Sequence, residues 1–161
     1  MAMMAAVPER RASFREEKRL AALTVPLVST GRLIYRQPGH LEKLTDAPLP
    51  ESLVVDANRL TLDLPNEIPR AIDLGSQPEL RVLVDAMRGP LAGDLPALQR
   101  AFAVRTQGTR DAWRLDLVPV DPRAARLLRA VRISGTGADM REVLLVQANG
   151  DETYMSIEPT R

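Results

Sequence analysis

Cysteine is absent from this 161-residue sequence, and aromatic residues are scarce: one Trp, two Tyr and two Phe. Without cysteine the chain can form no disulfide, no thiolate nucleophile and no zinc–thiolate cluster. Few aromatic rings are present on which single-stranded nucleic acid could stack, and the 22 basic and 21 acidic side chains are interspersed. We therefore expect no nucleic-acid partner, no metal and no cofactor.

Long apolar runs are also absent, and a membrane-spanning helix needs about 18 or more consecutive apolar residues. The first seven residues are too short for an export signal with a basic front and an apolar middle, so an exported protein would have lost its signal before this sequence begins. With 45% hydrophobic and 27% charged residues, residues 1–161 are predicted to form a single globular domain.

Side chains that could support catalysis are few and scattered. His40 is the only histidine and lies beside a Pro-Gly turn, and no Gly-x-Ser-x-Gly motif is present to hold a nucleophile. Gly135-Thr-Gly137 begins a dinucleotide-loop pattern but neither completes it nor precedes a helical run. Acidic residues such as Asp56 and Asp116 fall in predicted strands and turns, where we expect solvated carboxylates. We predict a protein without catalytic activity.

Alternation of apolar and polar residues predicts strands for most of the chain. In the stretch Ser29–Lys43, Leu33 and Tyr35 fall on one face of a strand, Pro38-Gly39 interrupts it, and a second strand, His40–Asp46, completes a hairpin. Further strands are predicted at 51–56, 59–64, 70–74, 104–106, 113–117 and 131–133. The final hairpin joins 142–147 to 152–158 around Asn149-Gly150, a strong turn signal.

Two segments near the start of the chain have less distinctive patterns. Residues 2–7 fit the last turns of a helix stopped by Pro8. Ser13 and Glu16 match a capping box, which favours a helix from 14 to 23. Phe14 and Glu16 also belong to a period-two series, and we choose a strand for this segment.

A helical insert is predicted between the strands. Ser76-Gln-Pro-Glu79 has the composition of a helix start, and Gly89-Pro90 predicts its end. Leu80, Leu83 and Met87 recur at the spacing of one helix face. Asp94 with Pro96 begins a second short helix that reaches about Phe102, and one helical turn is expected at 123–128. The fold class is therefore α+β and mainly antiparallel β.

The apolar residues on the strands and the helix face can be explained in two ways. They can fill an ordinary core between sheet and helix, which periodicity alone favours, or they can surround a cavity. An acyl chain in such a cavity would gain roughly 0.8 kcal/mol per buried methylene. The pattern of residues does not distinguish the two.

Apolar and turn residues along most of the chain resemble those of the periplasmic outer-membrane lipoprotein carriers, the LolA-like family. The first half contributes Phe14-Arg-Glu-Glu-Lys18, Pro26-Leu27, Gly31-Arg-Leu33-Ile-Tyr35, Pro38, Leu41-Glu-Lys43, Pro50-Glu51 and Val54-Val55-Asp56. The second half contributes the helical insert, Trp113-Arg-Leu115-Asp-Leu117-x-Pro119, Ile133 and the hairpin at Asn149-Gly150-Asp151. The chain resembles a divergent member of this family.

This resemblance implies a curved, half-open β-barrel whose concave face is covered by the helical insert. It implies a periplasmic, monomeric carrier that shelters the acyl chains of lipoproteins or another lipid-like molecule, as a chaperone in outer-membrane biogenesis. An inner-membrane donor and an outer-membrane acceptor would be its partners. By position, the apolar ligand-binding residues would be Leu33, Tyr35, Leu60, Leu62, Leu80, Leu83, Met87, Trp113, Leu115 and Ile133.

The sequence departs from the family pattern at two places. Known carriers have an arginine immediately before the proline of the second-strand motif, where it ties the helical lid shut, whereas this chain has Gln37. The chain also ends at Arg161 without the additional C-terminal strand of some members. We expect a lid that is less firmly held or held by another group. The alternative function is an interaction module with a filled core that docks on a membrane transport or biosynthesis complex.

Overall fold

A computed structural model describes residues 6–160, so most of the helix expected at 2–7 lies outside the described residues. Eleven strands dominate the chain. They are β1 Glu9–Arg19, β2 Leu27–Arg36, β3 His40–Ala47, β4 Glu51–Asp56, β5 Arg59–Asp63, β6 Arg70–Asp73, β7 Phe102–Thr109, β8 Ala112–Pro119, β9 Leu128–Thr136, β10 Asp139–Gln147 and β11 Glu152–Pro159. The helices are α1 Pro78–Ala92, α2 Leu95–Ala101 and α3 Pro122–Ala125, and a 3₁₀ turn spans Leu74–Ser76.

All eleven strands belong to one curved antiparallel sheet in the order β6-β5-β4-β3-β2-β1-β11-β10-β9-β8-β7. The first and last strands pair at its centre, and β6 and β7 form two free edges. The chain leaves one edge strand, passes through α1 and α2, and enters the other edge strand. The expected α+β fold, a half-open barrel with a helical insert, is confirmed.

Strand β1 follows the period-two pattern rather than the capping-box pattern. It pairs with β2 along one side and β11 along the other. Phe14 and Glu16 are both buried, while Ser13 and Arg15, which alternate with them, are exposed. Pairing on both sides and the burial of this face at Phe14 and Glu16 outweigh the local capping signal at Ser13.

Helix α1 differs from its prediction at both ends. It continues through Gly89 and Pro90 and ends at Gly93, which has a left-handed φ of 69°. A Cβ on Gly89 would lie 2.5 Å from the side chain of Leu98, so this glycine permits close packing of α1 on α2 rather than ending the helix. Gln77 occupies the N-cap position, because Ser76 closes the preceding 3₁₀ turn.

The other helix predictions have mixed outcomes. Asp94 caps α2 as expected, since its side chain accepts a hydrogen bond from the Ala97 amide at 3.1 Å. The single helical turn expected at 123–128 is shorter and ends at Ala125. Leu128 begins β9 instead, where it is buried.

Inward-facing side chains form the core on the concave side of the sheet, beneath α1. Val55, Leu74, Leu117 and Ile133 are among its fully buried members. At one end of the sheet, where β1, β3, β5 and β8 end, large apolar side chains are exposed. Among residues 6–160 these are Leu23, Val25, Leu27, Val28, Leu49, Ile68, Val118, Val120 and Leu127.

Candidate functional site

The concave wall brings together most of the apolar residues predicted to bind a ligand. Tyr35, Leu60, Leu115 and Ile133 are buried members of one hydrophobic cluster. Partly buried members of the predicted set pack against this cluster from its margins: Leu33, Leu80, Leu83, Met87 and Trp113. Leu62 is also partly buried but lies outside the cluster, toward the free edge at β6. Much of the wall is therefore filled with side chains, and its margins are open to solvent.

A cavity of about 220 Å³ lies between this wall and α1, at the end of the sheet where β1 begins and β11 ends. Leu33, Tyr35 and Met87 of the predicted set line it. The other apolar lining residues were not predicted: Val7, Ala12, Leu41, Leu91, Met140, Ile157 and Pro159. The lining is mostly aliphatic, which suits an alkyl chain because flexible aliphatic groups adapt to its shape.

The residues that sequence reasoning missed come from distant parts of the chain. Ala12 is the register partner of both Leu33 and Pro159, so β1 brings the start and end of the chain to the same wall. Leu41 is the register partner of Tyr35. Alternation within β1 and β3 signals that Ala12 and Leu41 face inward. The pairing of β1 with β11 has no comparable local signal.

Helix α1 covers the cavity with both buried and partly buried side chains. Leu80, Leu83 and Met87 are partly buried and pack against the hydrophobic cluster, whereas Val84 and Leu91 are buried. The helix is therefore packed on the sheet along its length, with less complete burial at Leu80 and Leu83 than near its C-terminal end.

Gln37 connects the cavity wall with the end of α1. Its side-chain Nε2 donates a hydrogen bond to the Leu91 carbonyl at 3.2 Å, one of the last carbonyls of the helix, which lack an intrahelical partner. The Tyr35 hydroxyl lies 3.2 Å from both Gln37 Oε1 and the Pro38 carbonyl and can donate to either. A neutral amide thus contacts the lid at the position where the family resemblance predicts an arginine.

A second contact is made by Arg88, a residue of α1 itself, and it joins the helix to two turns of the sheet. Arg88 donates hydrogen bonds to the carbonyls of Gly39 at 3.2 Å and Ala57 at 2.6 Å, in the β2–β3 and β4–β5 turns. Asp85, one helical turn earlier, pairs with the same guanidinium at 2.8 Å. Ala57 has a left-handed φ of 52°, so this bond stabilises a turn in a conformation that alanine rarely adopts.

Charged and polar groups line the cavity near the start of β1. Burial lowers the pKa of Arg10, while the neighbouring Asp139 and Tyr35 act to raise it. Burial raises the pKa of Tyr35, and the positive charges of Arg88 and Arg10 oppose this change. Arg10 donates to the Ala138 carbonyl and lies 3.9 Å from Asp139. These groups are occupied with one another rather than arranged for proton transfer to a ligand.

Trp113 marks the opposite side of the wall. A Cβ on Gly135, its register partner on β9, would lie 2.3 Å from the tryptophan ring, so the ring lies directly over this glycine. Its Nε1 donates a hydrogen bond to the Gly137 carbonyl at 2.9 Å. Met140, which lines the cavity, is the register partner of Gly135 on the other side.

Other site types find little support among the described residues. His40 begins β3 rather than lying in an exposed loop, and its Nε2 lies 2.9 Å from Glu42. Within residues 6–160, no group of three or more His, Asp or Glu side chains could hold a metal ion. In the same range, no helix has both the length and the apolar character needed to cross a bilayer.

Comparisons with known proteins agree with this architecture. The profile of the family described as outer membrane lipoprotein carrier protein LolA-like matches residues 2–156. A LolA superfamily protein from Nitrosomonas europaea is similar in structure, with a TM-score of 0.50 and 9% sequence identity, over 98% of this chain and 88% of that one. At this identity the likeness shows the fold alone.

Two further solved structures are similar to the chain. A DUF1329 family protein from Desulfovibrio piger has a TM-score of 0.48 and 10% identity, over 98% of this chain and 86% of that one. A chain of the Pseudomonas aeruginosa MucA/MucB complex has a TM-score of 0.48 and 14% identity, over 96% of this chain and 51% of that one. No protein with a curated description matches the sequence.

Proposed function

Because the chain belongs to the LolA-like family of outer membrane lipoprotein carrier proteins, we propose that it is a periplasmic carrier that shelters an acyl chain beneath α1. The supporting observation is the mostly aliphatic cavity of about 220 Å³ between α1 and the concave wall. The cargo would be a lipoprotein or another lipid-like molecule, received from an inner-membrane donor and passed to an outer-membrane acceptor. No catalytic step is part of this proposal.

The cavity is too small for a complete acyl chain while α1 stays in place. Sites that bury most of a drug-sized ligand enclose roughly 300–1,000 Å³, more than the space beneath α1. Uptake of a long chain therefore requires α1 to move outward and exchange its own apolar contacts with the wall for contacts with the ligand. Each methylene buried in this exchange contributes roughly 0.8 kcal/mol.

The contacts that hold α1 suit such an exchange. Part of its apolar face, at Leu80, Leu83 and Met87, is only partly buried. Its C-terminal half is held by the hydrogen bonds of Gln37 and Arg88 to backbone carbonyls. Hydrogen bonds of this kind contribute on the order of 1 kcal/mol each. A bound alkyl chain can offset their loss, and the cargo would move to whichever partner buries more of its surface.

Native mass spectrometry of gently purified protein tests the proposal. We expect a bound lipid, or retention of dodecanoate after incubation, at one molecule per chain. Leu33→Glu should abolish retention, because it places a charge in the lining of the cavity. Leu23→Glu is the matched control, since it changes an exposed leucine in the β1–β2 turn, and it should retain the ligand. Uptake that is unaffected by Leu33→Glu would contradict the assignment of the cavity as the binding site.

The exposed apolar side chains at the end of the sheet where β1 ends favour a second candidate function. They are typical of a surface that contacts a partner, and a non-carrier module with a filled core would use them to dock on a membrane transport or biosynthesis complex. This candidate predicts the opposite outcome for the two variants. The protein would take up no acyl chain, and Leu23→Glu rather than Leu33→Glu would abolish co-sedimentation with inner-membrane vesicles.

A further inference from the structure

Lys43 interrupts a row of apolar side chains on the concave wall. Cross-strand register places Ala12, Leu33, Lys43, Leu53 and Leu62 in one row across β1 to β5. The cavity beneath α1 reaches Ala12 and Leu33, so Lys43 is the next position along its wall. The Lys43 side chain is 25% exposed and is accessible at this margin.

A buried carboxylate accompanies this lysine. Glu16 is 3% exposed, and its Oε2 lies 2.6 Å from Lys43 Nζ, while Lys18 Nζ lies 3.7 Å from Oε1. Lys18 and Lys43 are the only lysines among the 22 basic residues of the sequence, and both contact this one carboxylate. Two ammonium groups against one carboxylate leave the cluster with one excess positive charge.

A glycine between the strands makes the cluster possible. Gly31 on β2 is the register partner of Phe14 on one side and of Thr45 on the other, and a Cβ at this position would lie 2.0 Å from the Leu44 carbonyl oxygen. The backbones of β2 and β3 therefore approach too closely for any other residue here, and Lys43 on β3 contacts Glu16 on β1 from across β2. The Lys43 ammonium also lies 5.5 Å from the Phe14 ring centre.

Stability alone does not account for this arrangement. Removing an ion pair from water costs several kcal/mol per ion, and apolar side chains of similar volume often stabilise a wall equally well. Lysine also leaves donors available, because its ammonium has three and the contact with Glu16 uses one. A lysine with unused donors beside an aliphatic cavity combines the two features that an amphiphile needs: a charged group for its head and an apolar surface for its chain.

We propose that the Lys43 ammonium binds the anionic head group of the carried amphiphile, with its alkyl chain extending past Leu33 into the cavity beneath α1. The head group would be a carboxylate or a phosphate. Glu16 holds Lys43 in position, and Lys18 provides the excess positive charge at the rim. This assignment rests on the proposed carrier function and specifies the chemical class of the cargo.

Arg10, another cation on this wall, is less suited to the same role. Arg10 lies at the far end of the cavity, where it donates to the Ala138 carbonyl and is matched one to one by Asp139. At the Glu16 cluster the cations outnumber the carboxylate two to one. Electrostatics therefore favours an anion at Lys43 and disfavours a cationic head group.

Dissociation constants for three ligands of equal chain length test the assignment. Dodecanoate, dodecyl phosphate and dodecanol are titrated into the purified protein at neutral pH. We expect at least one of the two anions to bind about tenfold more tightly than dodecanol, since hydrogen bonds to charged groups are the stronger ones. Preference for the carboxylate indicates a fatty-acid cargo, and preference for the phosphate indicates a phospholipid.

Three variants separate the role of Lys43 from a structural one. Lys43→Met should bind all three ligands equally, whereas Glu16→Gln, which removes a negative charge, should increase the preference for anions. Arg32→Met removes a positive charge from the outer face of the neighbouring strand β2 and should leave the preference unchanged. Equal binding of anions and dodecanol by the unaltered protein would overturn the assignment. Failure to bind any of the three would instead contradict the proposed carrier function.

Discussion

At Gln37 one side chain joins the cavity wall to the lid. Its amide oxygen lies within hydrogen-bond distance of the Tyr35 hydroxyl, and its amide nitrogen donates to the Leu91 carbonyl. An arginine here could reach the same carbonyl but has no acceptor to offer Tyr35. The departure from the family pattern therefore preserves a lid contact while changing its chemistry from charged to neutral.

Replacing Gln37 by leucine removes these hydrogen bonds at similar side-chain size. We expect the free energy of unfolding to fall by about 0.5–1.5 kcal/mol, because the Leu91 carbonyl loses its donor. Chemical denaturation measures the change. Gln77→Leu is the control, since Gln77 is exposed at the other end of α1 and its side chain makes no capping bond. Equal losses in both variants would contradict the role of Gln37.

Local patterns predicted which residues of each strand face inward, but they did not predict which of these residues line the cavity together. Leu33 and Tyr35 were placed on one face of a strand because they alternate with Arg32, Ile34 and Arg36, and the family resemblance placed that face in the cavity. Leu91 was missed because Gly89-Pro90 signals a helix end, whereas the close approach of Leu98 requires glycine there. The contact of Gln37 with α1 depends on an approach across 54 residues, which no local pattern encodes.

Helix α1 is the element whose attachment decides whether the cavity opens. Arg88 is 12% exposed and bonds to the Gly39 and Ala57 carbonyls, whereas Arg81, on the same helix, is 49% exposed and lies 3.6 Å from Asp85. The two arginines thus share one acidic partner but differ in their contact with the sheet. Replacing each arginine in turn therefore separates the loss of contacts between α1 and the sheet from the loss of one positive charge on α1.

Arg88→Met should increase the hydrogen-exchange rates of the α1 amides by about tenfold, because losing the bonds to two turns lowers the free energy of local opening. Arg81→Met, which removes the same charge, should leave these rates nearly unchanged. Exchange followed by mass spectrometry measures both. Similar rates in the two variants would show that Arg88 does not hold the lid.

Asp116 on β8 forms an ion pair with Arg132 on β9 on the outer face of the sheet, and this pair gives a test of the electrostatics there. Partial burial acts to raise the pKa of Asp116, but hydrogen bonds and charges from Arg132 and Arg114 outweigh it and hold the pKa below its ordinary value of 3.8. The Arg132 bond is 2.9 Å long and joins register partners on the two strands.

Asp116→Asn should lower the free energy of unfolding by about 0.2–1 kcal/mol at neutral pH, the usual range for a partly exposed ion pair. Because the folded-state pKa is depressed, the stabilisation is complete above pH 3.8 and is lost as the pH falls through the folded-state pKa. The two proteins should therefore converge in stability in acid. Asp111→Asn, in the exposed β7–β8 turn, should show no such convergence; denaturation at a series of pH values measures both.

Over the whole molecule, the sequence was sufficient for the fold class but not for the state of the interior. The strands were predictable because each presents a period-two face to a single core. The half-open architecture came from the resemblance, since the pairing of β1 with β11 and the free edges at β6 and β7 are long-range features. The position of α1 decides whether Leu60 and Leu115 contact a ligand or pack against other core side chains.

The central claim is that an alkyl chain enters the space between α1 and the concave wall, and Trp113 is placed to report it. It is the only tryptophan in the sequence, and its ring covers Gly135, next to Met140 of the cavity. Titration with a fatty acid brominated along its chain should quench Trp113 fluorescence, while the unbrominated acid should not. Retention of the brominated acid without quenching would contradict the account, because the chain would then lie elsewhere.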